Sequence, residues 1–86
     1  MTNTMCKICG FCYSNYYPWG EDGETPTYDI CVCCGCEFGF DDDEMACGKS
    51  MQAYRSKWIN DGSIFFMPSE RPENWNLESQ LKNVEV

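Results

Sequence analysis

Apolar and polar positions divide the chain into a first part without a period and a second part with helical spacing. Residues 1–40 carry seven of the eight cysteines, most of the glycines and turn-rich stretches such as "PWGEDGETP", a pattern of short strands and loops rather than helix. From residue 41 to 61 the pattern changes. Met51, Tyr54 and Trp58 recur at i, i+3 and i+7, with Cys47 one turn before and Ile59 beside Trp58, so one helix with a single apolar face is expected to pack on the first part. The run Asp41, Asp42, Asp43, Glu44 suits the positive end of that helix and reads as a solvated start, and Gly62 follows the last periodic residue as a stop. Residues 62–86 open with "SIFFMPSERP", an apolar run of strand length ended by Pro68 and Pro72. They close with "NWNLESQLKNV", a short helix with Asn76 as N-cap and Leu77, Leu81 and Val84 on one face. Trp75 is expected beside that face, and Trp58, Phe65, Phe66 and Trp75 together form a second core or a lid. No internal repeat stands out, and the whole chain, 1–86, reads as one domain: 1–40, 41–61 and 62–86.

Length changes this picture, because a domain of 86 residues is in the range where a hydrophobic core alone leaves stability marginal. A covalent or metal staple is expected. Eight cysteines supply the means, and compartment decides between disulfides and metal. The opening "MTNTMCKICG" shows no charged region followed by an apolar run, and no apolar stretch reaches spanning length, so the expectation is a reducing cytoplasm with no membrane association. In that setting paired C-x-x-C elements are metal sites more often than disulfides. Charge then limits the partners. With 14 Asp plus Glu against 6 Lys plus Arg, a net charge of -8, the chain lacks the cations that replace counterions on phosphates, so nucleic acid is not an expected partner.

The stretch "CVCCGCEFGF" holds two overlapping C-x-x-C pairs, Cys31/Cys34 and Cys33/Cys36. In a rubredoxin-type knuckle the residue after the second cysteine needs positive φ, which glycine adopts cheaply. Cys9 precedes Gly10 and Cys34 precedes Gly35, whereas Cys12 precedes Tyr13 and Cys36 precedes Glu37. The expected ligands are therefore Cys6, Cys9, Cys31 and Cys34, a tetrahedral site for one Zn²⁺. A competing register through Cys33 and Cys36, with Cys12 and Cys47, would make a second four-thiol set. Iron in the same four thiolates is the alternative metal, since ligand type does not separate it from zinc. An iron–sulfur cluster of the C-x₂-C-x₂-C-x₃-C-P kind is disfavoured, because Tyr16 and Tyr17 stand where its last cysteine and proline belong.

Catalysis is not expected. The chain has no histidine, and four thiolates close a metal's coordination shell. The spare thiols Cys12, Cys33, Cys36 and Cys47 leave a thiol redox sensor as one alternative function, and mononuclear iron leaves an electron carrier as another.

"CKICG" followed by "PTYDICVCCGCEFGFDDD" resembles the small bacterial cysteine-rich proteins with a CPCC motif, in which a C-x-x-C-G knuckle precedes a Tyr-Asp/Glu-Ile-Cys-Pro-x-Cys-Gly segment and acidic residues. "YRSKWINDG" and "PENWNLESQLKN" are similar to the tails of that group, so the resemblance runs from Cys6 to about Asn83. Val32 stands in place of the motif's proline, and Cys36 in place of a common aromatic. The resemblance implies an α+β fold, a rubredoxin-like zinc ribbon with a helical extension, and metal ligands at Cys6, Cys9, Cys31 and Cys34. It implies little about activity, beyond a setting near toxin–immunity genes for some members. The expected function is a structural zinc protein serving as a small interaction module, with a basic protein as partner.

Overall fold

A computed structural model describes residues 4–84. Among the described residues there are three helices, α1 over Glu44–Cys47, α2 over Met51–Asn60 and α3 over Leu77–Leu81, with a single 3-10 turn at Pro68–Glu70. Among the described residues β pairing is confined to two isolated antiparallel bridges, Met5 with Cys12 and Ile30 with Glu37. The short strands expected over residues 1–40 are thus reduced to one bridge at the base of each cysteine turn. The apolar run "SIFFMP" is not a strand either.

The helix expected over 41–61 divides in two, for local reasons. Asp43 caps α1 by accepting from the Met45 N–H at 3.0 Å, and Gly48, at φ 76°, ends it after one turn. Ser50 then starts α2 by accepting from the Ala53 N–H at 3.0 Å. The acids before α1 are also not a simple solvated start. Asp42 is only 4% exposed: its carboxylate accepts from the Gly39 N–H at 2.7 Å and from the Trp19 indole N–H at 2.6 Å. Asp41 accepts from the Glu37 N–H at 2.9 Å. Both carboxylates close the loop after the second cysteine turn, so a buried charge here is matched by donors.

Trp58 carries the buried face of α2, with Met51, Tyr54 and Ile59 half-buried around it, whereas Cys47 lies apart on α1 with its Sγ 3.4 Å from the Lys49 carbonyl. Phe65 is buried beside them and Phe66 is 59% exposed, so the four expected aromatics do not make a separate core. Instead Trp75, Phe65, Phe11 and Tyr13 form a line of edge-on rings with centroids 5.1, 5.8 and 5.0 Å apart. α3 begins at the expected cap, Asn76, which accepts from the Ser79 N–H at 2.8 Å. Its most deeply buried side chain is nevertheless Gln80, not Leu81 or Val84.

Among the described residues, six of the ten buried hydrophobic ones are cysteines: Cys6, Cys9, Cys31, Cys33, Cys34 and Cys36. A core built this way has little aliphatic volume.

Candidate metal centre

The two cysteine turns have the same backbone. In the first, the Gly10 N–H donates to the Cys6 carbonyl at 2.9 Å, Cys6 N–H to Phe11 carbonyl at 2.9 Å, and Tyr13 N–H to Thr4 carbonyl at 2.8 Å. In the second, Gly35 donates to Cys31 at 3.0 Å, Cys31 to Cys36 at 2.8 Å, and Phe38 to Asp29 at 2.9 Å. Every donor and acceptor recurs 25 positions on (6 to 31, 13 to 38), a structural repeat that side-chain similarity does not reveal. Both turns close on glycines with positive φ, 82° at Gly10 and 79° at Gly35, the conformation that selects glycine after C-x-x-C.

This register brings the sulfurs of Cys6, Cys9, Cys31 and Cys34 within 4.8 Å of one another, all of them buried. Cys6 and Cys34 are 3.8 Å apart, and so are Cys9 and Cys31. A tetrahedral ion with metal–sulfur bonds near 2.3 Å has sulfur–sulfur edges of about 3.8 Å, so the four thiols are spaced to hold one metal ion.

Electrostatics favour a cation at their centre. Cys31 accepts from the Tyr13 hydroxyl at 3.2 Å and from the Cys33 N–H at 3.4 Å. Its thiol is pushed far below the usual range, chiefly by the Cys34 thiol and then by Cys36, Cys6 and Cys9 donating to it. Cys9 is pushed up in turn, chiefly because it donates to Cys31. Tyr13 is raised by its own burial and by the Cys31 charge, so it stays a hydroxyl donor. A divalent cation at the centre would stabilise all four as thiolates.

The remaining cysteines do not assemble into a second four-thiol set. Cys12 is exposed, with its Sγ 3.5 Å from the Asn83 amide. Cys33, fully buried at the position equivalent to Ile8, accepts from the Gln80 amide at 3.3 Å. Cys36 lies 3.7 Å from the Cys6 sulfur, and Cys47 sits on α1.

Residues from the C-terminal half satisfy the carbonyls of both turns, and the sequence reading assigned them no such role. Arg55 of α2 donates to Ile8 at 2.6 Å and to Lys7 at 3.3 Å. Gln80 donates to Cys9 at 2.9 Å, while its own oxygen accepts from the Trp75 indole at 2.6 Å. Asn83 donates to Gly10 at 2.9 Å. On the second turn, the N–H groups of Met67 and Phe66 donate to Val32 and Cys33 at 2.9 and 3.0 Å, and the Tyr54 hydroxyl to Cys34 at 3.3 Å.

The chain is 32% identical to the uncharacterized protein YoaQ of Bacillus subtilis (strain 168) over an 88-residue alignment, which covers 90% of this chain and 75% of YoaQ. It is 34% identical to the uncharacterized protein YozI of the same strain over 89 residues, covering 90% of this chain and 74% of YozI. The chain belongs to the family of YoaQ and YozI. No protein-family model and no solved structure matches it. Because the names YoaQ and YozI state no activity, a functional reading within the YoaQ and YozI family rests on the thiol cluster. Among the described residues no helix is long and apolar enough to cross a membrane.

Proposed function

We propose that this protein is a structural zinc protein, a ribbon of two C-x-x-C-G turns in which Cys6, Cys9, Cys31 and Cys34 hold one Zn²⁺. The observation that carries this reading is the group of four buried sulfurs at tetrahedral edge spacing. Four thiolates complete zinc's preferred shell and leave no open position for water or substrate, so the ion serves the fold rather than a reaction. Its binding free energy, on the order of 10 kcal/mol, supplies the cohesion that a thiol-rich core lacks.

The module so built is cytoplasmic and acts by binding. Its net charge of -8 fits a basic protein partner, attracted at low salt and released as ionic strength rises. Iron in the same site is the second reading, favoured by the Tyr13 hydroxyl and Cys33 N–H on the Cys31 sulfur, since hydrogen bonds to ligand sulfur tune redox potential. Elemental analysis and native mass spectrometry on anaerobically purified protein test both. One zinc and a colourless protein are expected. One iron with visible absorbance transfers the assignment to electron transfer, and a folded protein without metal overturns the centre.

A further inference from the structure

Charge is divided unevenly along the chain. Residues 8–48 hold nine of the 14 acids and none of the six Lys and Arg, while the other residues hold five acids and all six cations. The first group thus carries -9 and the second +1, so the whole net charge of -8 belongs to the first. Three of the cations are engaged away from those acids: Lys57 pairs with Asp61 at 2.8 Å, Arg55 donates to the Ile8 and Lys7 carbonyls, and Arg71 lies over the Trp75 ring. Within the acidic group the second cysteine turn exposes three large apolar side chains, Tyr28 by 60%, Ile30 by 42% and Phe40 by 44%. They sit on one paired segment. Ile30 bridges Glu37, the Phe38 N–H donates to the Asp29 carbonyl at 2.9 Å, and a Cβ added at Gly39 would lie 2.8 Å from the Tyr28 ring. Tyr28 therefore lies over the glycine that precedes Phe40. Its φ is 63°, a left-handed conformation that glycine adopts freely and an aromatic residue does not. The fold thus bears a strained backbone at an exposed ring, as positions that serve binding do. Ile64, Phe66 and Met67 are exposed as well, but they belong to the group whose charges nearly balance.

We propose that Tyr28, Ile30 and Phe40 form the docking surface for a cationic amphipathic segment of a partner protein. The segment's apolar side chains cover these three, and its Lys or Arg side chains meet Asp29, Glu37 and Asp41. This rests on the basic-partner reading above and gives it a place on the molecule. Large apolar anchors within a charged rim are the usual anatomy of a protein interface. A rim of one sign then selects the opposite sign and repels acidic competitors.

The test titrates the isotope-labelled full chain, purified anaerobically, with three synthetic peptides at low salt. One is an amphipathic helix of Leu and Lys, the second has Ser in place of Leu, and the third has Glu in place of Lys. Amide chemical shifts locate the binding. The Leu–Lys peptide is expected to shift the amides of residues 28–30 and 37–41, the Ser–Lys peptide to bind about 10-fold more weakly, and the Leu–Glu peptide not to bind. Phe40→Ser should weaken the Leu–Lys peptide by on the order of 10-fold, the worth of one buried apolar side chain. Tyr28→Gly should weaken it similarly while melting no lower than wild type, because glycine relieves the strained backbone. A merely structural Tyr28 would give the reverse, a lower melting point and unchanged binding. That result overturns the surface, as do equal affinity for the Ser–Lys peptide or shifts centred on Ile64, Phe66 and Met67; in each case the basic-partner reading stands. Failure of both cationic peptides to bind overturns the basic-partner reading itself.

Discussion

The two cysteine turns share a backbone and differ in what holds them from outside. The carbonyls of the first, Lys7 through Gly10, are met by side chains: Arg55, Gln80 and Asn83. Those of the second, at Val32 and Cys33, are met by the backbone of Met67 and Phe66, with the Tyr54 hydroxyl on Cys34. A C-x-x-C-G turn thus specifies its own shape but not its clamp. A backbone clamp survives most substitutions of the residues that supply it, whereas a side-chain clamp is lost with one residue.

The largest expected effect ignores this difference. Cys34→Ser and Cys6→Ser remove a ligand from either turn, and each should abolish the folded state by forfeiting metal binding worth on the order of 10 kcal/mol. Circular dichroism and metal content check it. A Cys34→Ser protein that keeps both its metal and its melting transition would sink the claim. Because the ligands bind as thiolates, lowering the pH should act in the same direction, with protons displacing the ion and unfolding the chain.

Glycine substitutions separate the turns. At Gly10 an added Cβ would lie 2.5 Å from the Gln80 carbonyl oxygen, backbone that cannot swing aside; at Gly35 it would lie 3.2 Å from the Phe66 ring, which is half exposed and can move. Both pay the left-handed penalty, about 1–2 kcal/mol. Gly10→Ala should therefore be the more damaging by a further ~1–3 kcal/mol of overpacking. Equal melting points for the two variants would show that α3 does not press on the first turn.

Smaller still, Gln80→Leu leaves the buried Cys9 carbonyl and Trp75 indole without partners, at a cost of about 1–3 kcal/mol. Thermal melts of the metal-loaded protein give the number. Tyr54→Phe removes one neutral hydrogen bond from the second turn and should cost about 0.5–1.5 kcal/mol. If Tyr54→Phe proves worse than Gln80→Leu, the first turn is not the one that depends on side chains.

Where sequence reading succeeded and failed follows the range of the interactions. The glycine after the second cysteine is a local rule that points to Cys6, Cys9, Cys31 and Cys34 among eight thiols, and the sulfurs of these four lie within 4.8 Å of one another. Asn76 as a cap was legible for the same reason. The break between α1 and α2 was also written locally, in Gly48 and Ser50, but the spacing of Met51, Tyr54 and Trp58 masked it. Asp42 looked like one acid in a run, because nothing nearby marks the Trp19 indole as its partner. Gln80 was least legible. It sits in an amphipathic pattern that points to its leucine neighbours, and its partner Cys9 is 71 residues away. The repeat of the two turns is not visible in the sequence because only C-x-x-C-G is common to both, while Ile8 in the first turn corresponds to Cys33 in the second, and Phe11 to Cys36.

The side-chain clamp on the first turn also imposes an order on biosynthesis. A ribosome releases the four thiols once residue 34 has emerged, but Gln80 and Asn83 follow long after. With the proposed four-thiol centre, a nascent chain would capture an ion early and lock it late, and during that interval the first turn, the earlier one made, would be the one still open to competing metals.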